Sequence, residues 1–463
     1  SRKASQAAAR IFGGEPTDHV TFGRMAAFGS SALVLTATAS KLVNILTTAG
    51  EQTEVAHAEA PQIPEVTGSP ASTVPWSVQS REGRRWLGSV LTVKEIEDVI
   101  QEAAKQPIRA YASLQSGTTD EERAAVVMRE LERTNAFERS AIALFSPTGS
   151  GYVNYVASET FEYLTRGDCA SFAIEYSVLP SSFSLQAVPL GTRQTRLVVD
   201  AVVERLLTMK PEDRPKFYMF GESLGSQVSE GMFTDEGAWG PRGIGLTAGV
   251  WIGTPSATTW RKQLWGKRSI ADPSAIGPGD TYLPRNIDDW HKLPESERAK
   301  VRFLLLQNGD DPIPKFGTQL IWRRPDWLGP DDTRPLGSPK GTKWIPFVTF
   351  VQTFIDMLNA LTPTPGIFAE GGHDYREEIP EALRQIWRLE ISEGQMKRVQ
   401  QALRNRELHW EATRAWEAAE AITDDAKREK AENKAKEQIG QWLGNEPDEP
   451  ITPEQIARLR SAD

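Results

Sequence analysis

Between residues 107 and 307 the chain alternates short apolar runs with stretches that carry helical signals, and this alternation limits the fold more than any other feature. Val301 to Gln307 is nearly all apolar, the pattern of a strand covered on both faces. Pro107 to Leu114, Ala141 to Phe145, Cys169 to Val178, Lys216 to Phe220 and Leu246 to Ile252 read as further strands. Between them, Thr118 with Glu121 is a capping-box signature opening a helix through Glu132, and Leu197 to Leu207 has apolar residues at helical spacing. Strand and helix in alternation imply a mainly parallel sheet with helices on both faces, an α/β fold. With 463 residues, 39% of them hydrophobic, the chain can bury a sizeable core.

The flanks read differently. Arg2, Lys3, Arg10 and Arg24 precede an apolar stretch from Met25 to Leu46 that Lys41 interrupts. Its uninterrupted part falls short of the ~20 residues of a spanning helix unless Lys41 snorkels to the interface. A membrane helix and an ordinary helix of a soluble protein both fit. If the stretch spans, basic residues before it and Glu51, Glu54 and Glu59 after it orient the rest outside the cytoplasm. The expectation is then a membrane-associated protein with its catalytic domain on the extracytoplasmic side. Residues 51–75, with Pro61, Pro64, Pro70 and Pro75, read as a linker, and 76–391 as the α/β domain. Residues 392–463 read as a charged helical extension opened by Ser392 with Gln395 as its capping partner. Met396, Val399, Leu403, Trp410 and Trp416 give it an intermittent stripe, so solvated helices packed on the domain are expected, with a docking surface for a protein partner as the rival. The net charge of −9 and the lack of a long basic run argue against nucleic acid as partner. Cys169, the one cysteine, excludes an intrachain disulfide.

The chemistry centres on Gly221-Glu222-Ser223-Leu224-Gly225. A G-x-S-x-G string alone is weak evidence, but this one follows an apolar strand and precedes a helix-compatible run, the setting of a nucleophile elbow. Ser223 is the expected nucleophile. A base and an orienting acid must follow it, acid first. His373, in the loosened loop Glu370-Gly371-Gly372-His373-Asp374-Tyr375, is the expected base. Asp311, in Asn308-Gly309-Asp310-Asp311-Pro312 after a late strand, is the expected acid, with Asp310 as the alternative. The oxyanion hole is expected from the Leu224 N–H and a second donor in Thr148-Gly149-Ser150-Gly151, Thr148 and Gly149 in particular. The chain has no H-E-x-x-H, no Cys/His cluster and no dinucleotide fingerprint, so neither metal nor cofactor is expected.

These strings sit among others: Ser69-Pro70 with Val74-Pro75-Trp76, Arg81-Glu82-Gly83-Arg84, Pro107-Ile108-Arg109, Pro147-Thr148-Gly149, Tyr176-Ser177 with Leu179-Pro180-Ser181, Asp311-Pro312-Ile313 and Gly372-His373. In this order, over about Ser69 to Leu389, they resemble the bacterial, largely actinobacterial, α/β-hydrolase family of membrane proteins. The resemblance implies an α/β-hydrolase fold with Ser223, Asp311 and His373 as the triad, and it favours Asp311 over Asp310. It implies no substrate. A bundle of transmembrane helices precedes the hydrolase domain in that family, and most of it has no equivalent here. The extension after Ser392 has no counterpart either.

Long insertions, 48 residues between Ile252 and Val301 and 61 between Asp311 and His373, are expected to form lids. They hold Trp260, Trp265, Trp290, Trp322, Trp327 and Trp344. Ile345 to Leu361, with Phe347, Phe350, Phe354 and Met357, reads as an ordinary core helix, or else as a wall for an acyl chain or a face resting on a bilayer. The expected activity is that of a cofactor-free serine esterase or lipase-like hydrolase acting on a small-molecule or lipid ester. Two rivals stand beside it: acyl transfer to an alcohol such as a glycolipid hydroxyl by the same triad, and a non-catalytic scaffold binding a partner through its extension.

Overall fold

A computed structural model of the chain describes residues 57–179, 184–256, 258–265, 276–329, 341–360, 363–369 and 371–443, together with Glu54, Thr452 and Gln455. The apolar stretch Met25 to Leu46 lies outside these residues. Among the described residues no helix is long and apolar enough to cross a membrane.

The centre is an eight-stranded sheet: β1 (Ile108–Ala112), β2 (Ala141–Ser146), β3 (Cys169–Ile174), β4 (Lys216–Glu222), β5 (Ala248–Ile252), β6 (Ile276–Gly277), β7 (Thr281–Tyr282) and β8 (Phe303–Leu306). Its order is β1-β3-β2-β4-β5-β8-β7-β6, parallel except for the β6–β7 hairpin at one edge. The six strands read from the sequence are the parallel body of this sheet. Nothing in the sequence predicts the hairpin, because two residues per strand are too few to display a period of two. Every residue of β1, β2, β3, β5 and β8 is buried, which is why these strands are apolar runs and not alternating ones.

Helices α1 (Arg81–Gly88), α2 (Val93–Ile100), α3 (Asp120–Arg133), α4 (Tyr155–Leu164), α5 (Val188–Leu207) and α6 (Leu224–Gly231) are followed by α7 (Val348–Asn359), α8 (Ile379–Ile386), α9 (Glu393–Glu420) and α10 (Asp425–Trp442). On one face Trp86 of α1, Ile96 of α2, Phe161 of α4 and Leu383 of α8 pack on Phe145, Tyr218 and Leu304 of the sheet. On the other, Val127 of α3 and Val198 and Val202 of α5 meet Ile142, Phe172 and Met219. The capping box of α3 is one residue later than expected: Thr119 Oγ1 accepts from Glu122 N–H at 3.1 Å, while Thr118 donates to the Glu122 carboxylate.

Three expectations are corrected by packing. The supposed linker is fastened down over its second half, with Val66 fully buried and bridged to Arg109. There Thr67, Ser72 and Thr73 donate to the buried Glu130. The domain does not stop at residue 391, since Met396, Val399 and Leu403 of α9 are buried in the same core as Leu383 and Trp387. Their spacing of three and four is one helical stripe, and Gln395 and Arg398 tie it to the Ile100 carbonyl. Lastly, α7 is not a core helix. Thr349 and Thr353 face inward, while Phe347, Val348, Val351, Phe354 and Ile355 are exposed, Phe347 at 62%. Trp260, Trp290 and Trp327, by contrast, are buried, and Trp322 is exposed.

Candidate active site

β4 ends at Glu222 and α6 begins at Leu224, so Ser223 alone turns the chain, with φ 51° and ψ −121°. A residue bearing a Cβ takes that conformation only when its surroundings impose it. Two glycines do so. A Cβ on Gly225 would stand 2.3 Å from the Ser146 carbonyl oxygen, and one on Gly221 would stand 2.9 Å from Ser226 Cα. The start of α6 is thereby pressed against the end of β2. The Ser223 N–H donates to the Ile252 carbonyl at 2.9 Å, and Ser226 Oγ donates to the same oxygen at 3.0 Å. The Ser223 side chain opens on a cavity of about 550 Å³ that His373 also lines.

His373 Nδ1 lies 2.8 Å from Asp311 Oδ2, with the imidazole 7% exposed and the carboxylate fully buried. Asp311 follows β8, where its Oδ1 accepts the Ile313 N–H at 2.8 Å. Tyr375 Oη donates to Oδ2 at 2.6 Å and itself accepts the Asn308 N–H at 3.0 Å. The carboxylate at Nδ1 keeps the ring proton there and leaves Nε2 as the acceptor of the neutral imidazole. Burial opposes charge on the ring, but Asp311, with Glu222 and Asp374, outweighs it and holds His373 above the ordinary imidazole range.

Asp310 does not touch the ring. Its Oδ1 accepts the Gly372 N–H at 2.8 Å and so holds the loop that carries His373. Asp374 pairs with Arg376. Two contributors are absent from the sequence reading. Tyr375 carries no signal beyond its place next to the histidine loop. At Gly253, just after β5, a Cβ would stand 2.6 Å from His373 Cε1, so the ring occupies the space a side chain would fill. Its only signal is a glycine following a strand.

The expected oxyanion donors divide. Leu224 begins α6, where its N–H is one of the helix's free donors. The Thr148 N–H is spent on the Tyr152 carbonyl at 2.8 Å, because the loop after β2 folds back on itself, so Thr148 does not supply an amide. Gly149 remains in that loop, fastened through its carbonyl by Ser184 Oγ at 3.0 Å. Among the described residues no group of three or more His, Cys, Asp or Glu side chains is arranged to hold a metal ion.

A model of the alpha/beta-hydrolase family matches residues 108–399. The chain belongs to that family. The match reaches into α9 as far as Met396 and Val399 of the buried stripe of this alpha/beta-hydrolase. Comparison with curated proteins and with solved structures gave no match.

The cavity of this alpha/beta-hydrolase takes walls from three helices as well as from the Ser223 turn, the loop after β2 and the histidine loop. α1 contributes Arg81, Glu82 and Arg85, the start of α4 contributes Asn154 and Tyr155, and α9 contributes Glu407, Trp410, Glu411 and Arg414. Ala360 and Pro363, after α7, close another side. Arg376 Nη1 binds Glu407 Oε2 at 2.6 Å, so the wall from α9 is anchored beside the histidine loop. Glu222 accepts from Asn154 Nδ2 at 2.9 Å, and burial raises its carboxyl above the usual range.

Proposed function

We propose that this alpha/beta-hydrolase is a serine hydrolase that cleaves a carboxylic ester through an acyl-Ser223 intermediate. The observation that carries the reading is the pairing of His373 Nδ1 with the buried Asp311 on the cavity into which the strained Ser223 opens. In the reaction, His373 Nε2 takes the Ser223 proton as Oγ bonds to the acyl carbon, then returns it to the departing alcohol oxygen. Asp311 holds the ring and balances the imidazolium. The Leu224 N–H, with Gly149 as the candidate second donor, meets the oxyanion. Water then repeats the steps on the acyl-enzyme. An alcohol in place of water would make the same machinery an acyltransferase, and product analysis with and without an added alcohol separates the two.

A fluorophosphonate probe tests the proposal. Stoichiometric labelling at Ser223, abolished in Ser223→Ala and weakened strongly in His373→Ala, is the expected result. Folded protein that takes no label at Ser223 would refute it.

A further inference from the structure

Resting on that reading, we infer that the alcohol half of the ester is a neutral polyhydroxylated group of the sugar type, recognised by α1 and α9. Both Ser223 and His373 line the cavity, so an alcohol oxygen that receives the proton from Nε2 departs into it. Its lining mixes apolar surface with charged groups, and apart from Glu222, which Asn154 Nδ2 holds at 2.9 Å, those charges are paired. Arg85 binds Glu54 and also Glu82, the latter at 3.0 Å. Arg414 binds Glu411 and lies 3.8 Å from Glu54. Arg376 binds Glu407 and Asp374.

An ionic substrate would have to share guanidinium or carboxylate groups that are already engaged, which leaves its own desolvation poorly compensated. A long alkyl group would cover the pairs and satisfy none of their remaining donors and acceptors. The exposed apolar residues of α7 offer it no help, because only Ala360 and Pro363 from that region reach the cavity. A hydroxyl is both donor and acceptor, and can bridge a guanidinium N–H and a carboxylate lone pair without displacing either. The aromatic surface completes the fit. Trp410 packs edge-on to Tyr155 with ring centroids 5.2 Å apart, and the Arg406 guanidinium lies 5.3 Å over the Trp410 ring. With Arg406 over one face the ring is held rigid, and the part of Trp410 and Tyr155 that lines the cavity offers apolar support to the C–H groups of a pyranose whose hydroxyls meet the paired charges.

The chemistry balances as above: the bond from the acyl carbon to the sugar oxygen breaks, the new bond is to Ser223 Oγ, and the sugar leaves with the proton. The test uses the full chain and compares the primary acetyl ester of glucose with cyclohexylmethyl acetate, a ring of similar shape without hydroxyls. The sugar ester should be favoured in kcat/KM by at least about tenfold, a modest demand on a site built for hydroxyls, which can reject their absence by about 10⁴-fold or more. Glu411→Gln and Arg414→Met should each shrink that ratio severalfold. Near-UV circular dichroism identifies a variant that fails to fold, and the other variant then decides. Equal or better turnover of the cyclohexylmethyl ester, with p-nitrophenyl acetate hydrolysed and Ser223 labelled, would overturn this inference while leaving the serine-hydrolase reading intact. Loss of turnover on every ester together with no labelling would remove both.

Discussion

Tyr375→Phe removes one hydroxyl and probes how the Asp311 carboxylate is held. In the wild type that hydroxyl donates to Asp311 Oδ2, the oxygen that also meets His373, and it accepts the Asn308 N–H. A hydrogen bond to an ionised group is worth about 1.5–3 kcal/mol, and orphaning the buried Asn308 amide costs about 1–3 kcal/mol more. A stability loss of about 2.5–6 kcal/mol is expected, read as a lower urea midpoint. The catalytic consequence has a definite sign. With one donor gone, more of the carboxylate's charge acts on the imidazolium, and His373, already above its ordinary range, rises further. Because the base must be neutral, the acidic limb of the kcat/KM profile moves to higher pH. Since one pH unit corresponds to about 1.4 kcal/mol and only part of the lost bond reaches the ring, the shift should be up to about one unit. Rates should therefore fall most near neutrality and recover at alkaline pH. The assay is kcat/KM for p-nitrophenyl acetate across pH, corrected for spontaneous hydrolysis. An acidic limb that stays in place or moves to lower pH would refute the reasoning.

Other perturbations give equally directional outcomes. Gly225→Ala sets a methyl group against the Ser146 carbonyl, so it should destabilise the protein by more than about 2 kcal/mol and abolish fluorophosphonate labelling; a folded, labelled variant would show that the elbow can open. Ser223→Gly should melt higher than Ser223→Ala, by about 1 kcal/mol in unfolding free energy, because glycine accepts φ 51° and ψ −121° while alanine keeps the strain. Arg109→Met leaves Glu162 buried without the guanidinium that now sits 2.6 Å away, at a cost of about 3–5 kcal/mol in chemical denaturation; a loss under about 1 kcal/mol would mean that Glu162 is neutral in the fold.

The parallel body of the sheet was legible because doubly covered strands must be apolar, and Ala141 to Phe145 or Val301 to Gln307 cannot hide that. The elbow was legible because Gly221 and Gly225 answer a local steric demand. What stayed hidden depends on contacts distant in sequence. Nothing near Tyr375 or Gly253 records that one supports Asp311 and the other makes room for His373. Charge content marked α9 as a separate extension, yet three of its residues complete the core and four more wall the cavity. The apolar run at Ile345 to Leu361 predicted a helix correctly and its orientation wrongly, since hydrophobicity says that a face wants cover and not whether cover exists.

The way α9 finishes the cavity sets an order of events during synthesis. Ser223, Asp311 and His373 all leave the ribosome before Met396, Val399 and Leu403 can plug the core or Trp410 and Arg414 can close the wall. A nascent chain halted after residue 391 would hold every reacting group above an open-sided vestibule and an unfilled slot. Until α9 is complete, therefore, the apolar surface that Met396, Val399 and Leu403 cover stays exposed, the kind of surface that makes an unfinished chain prone to aggregation.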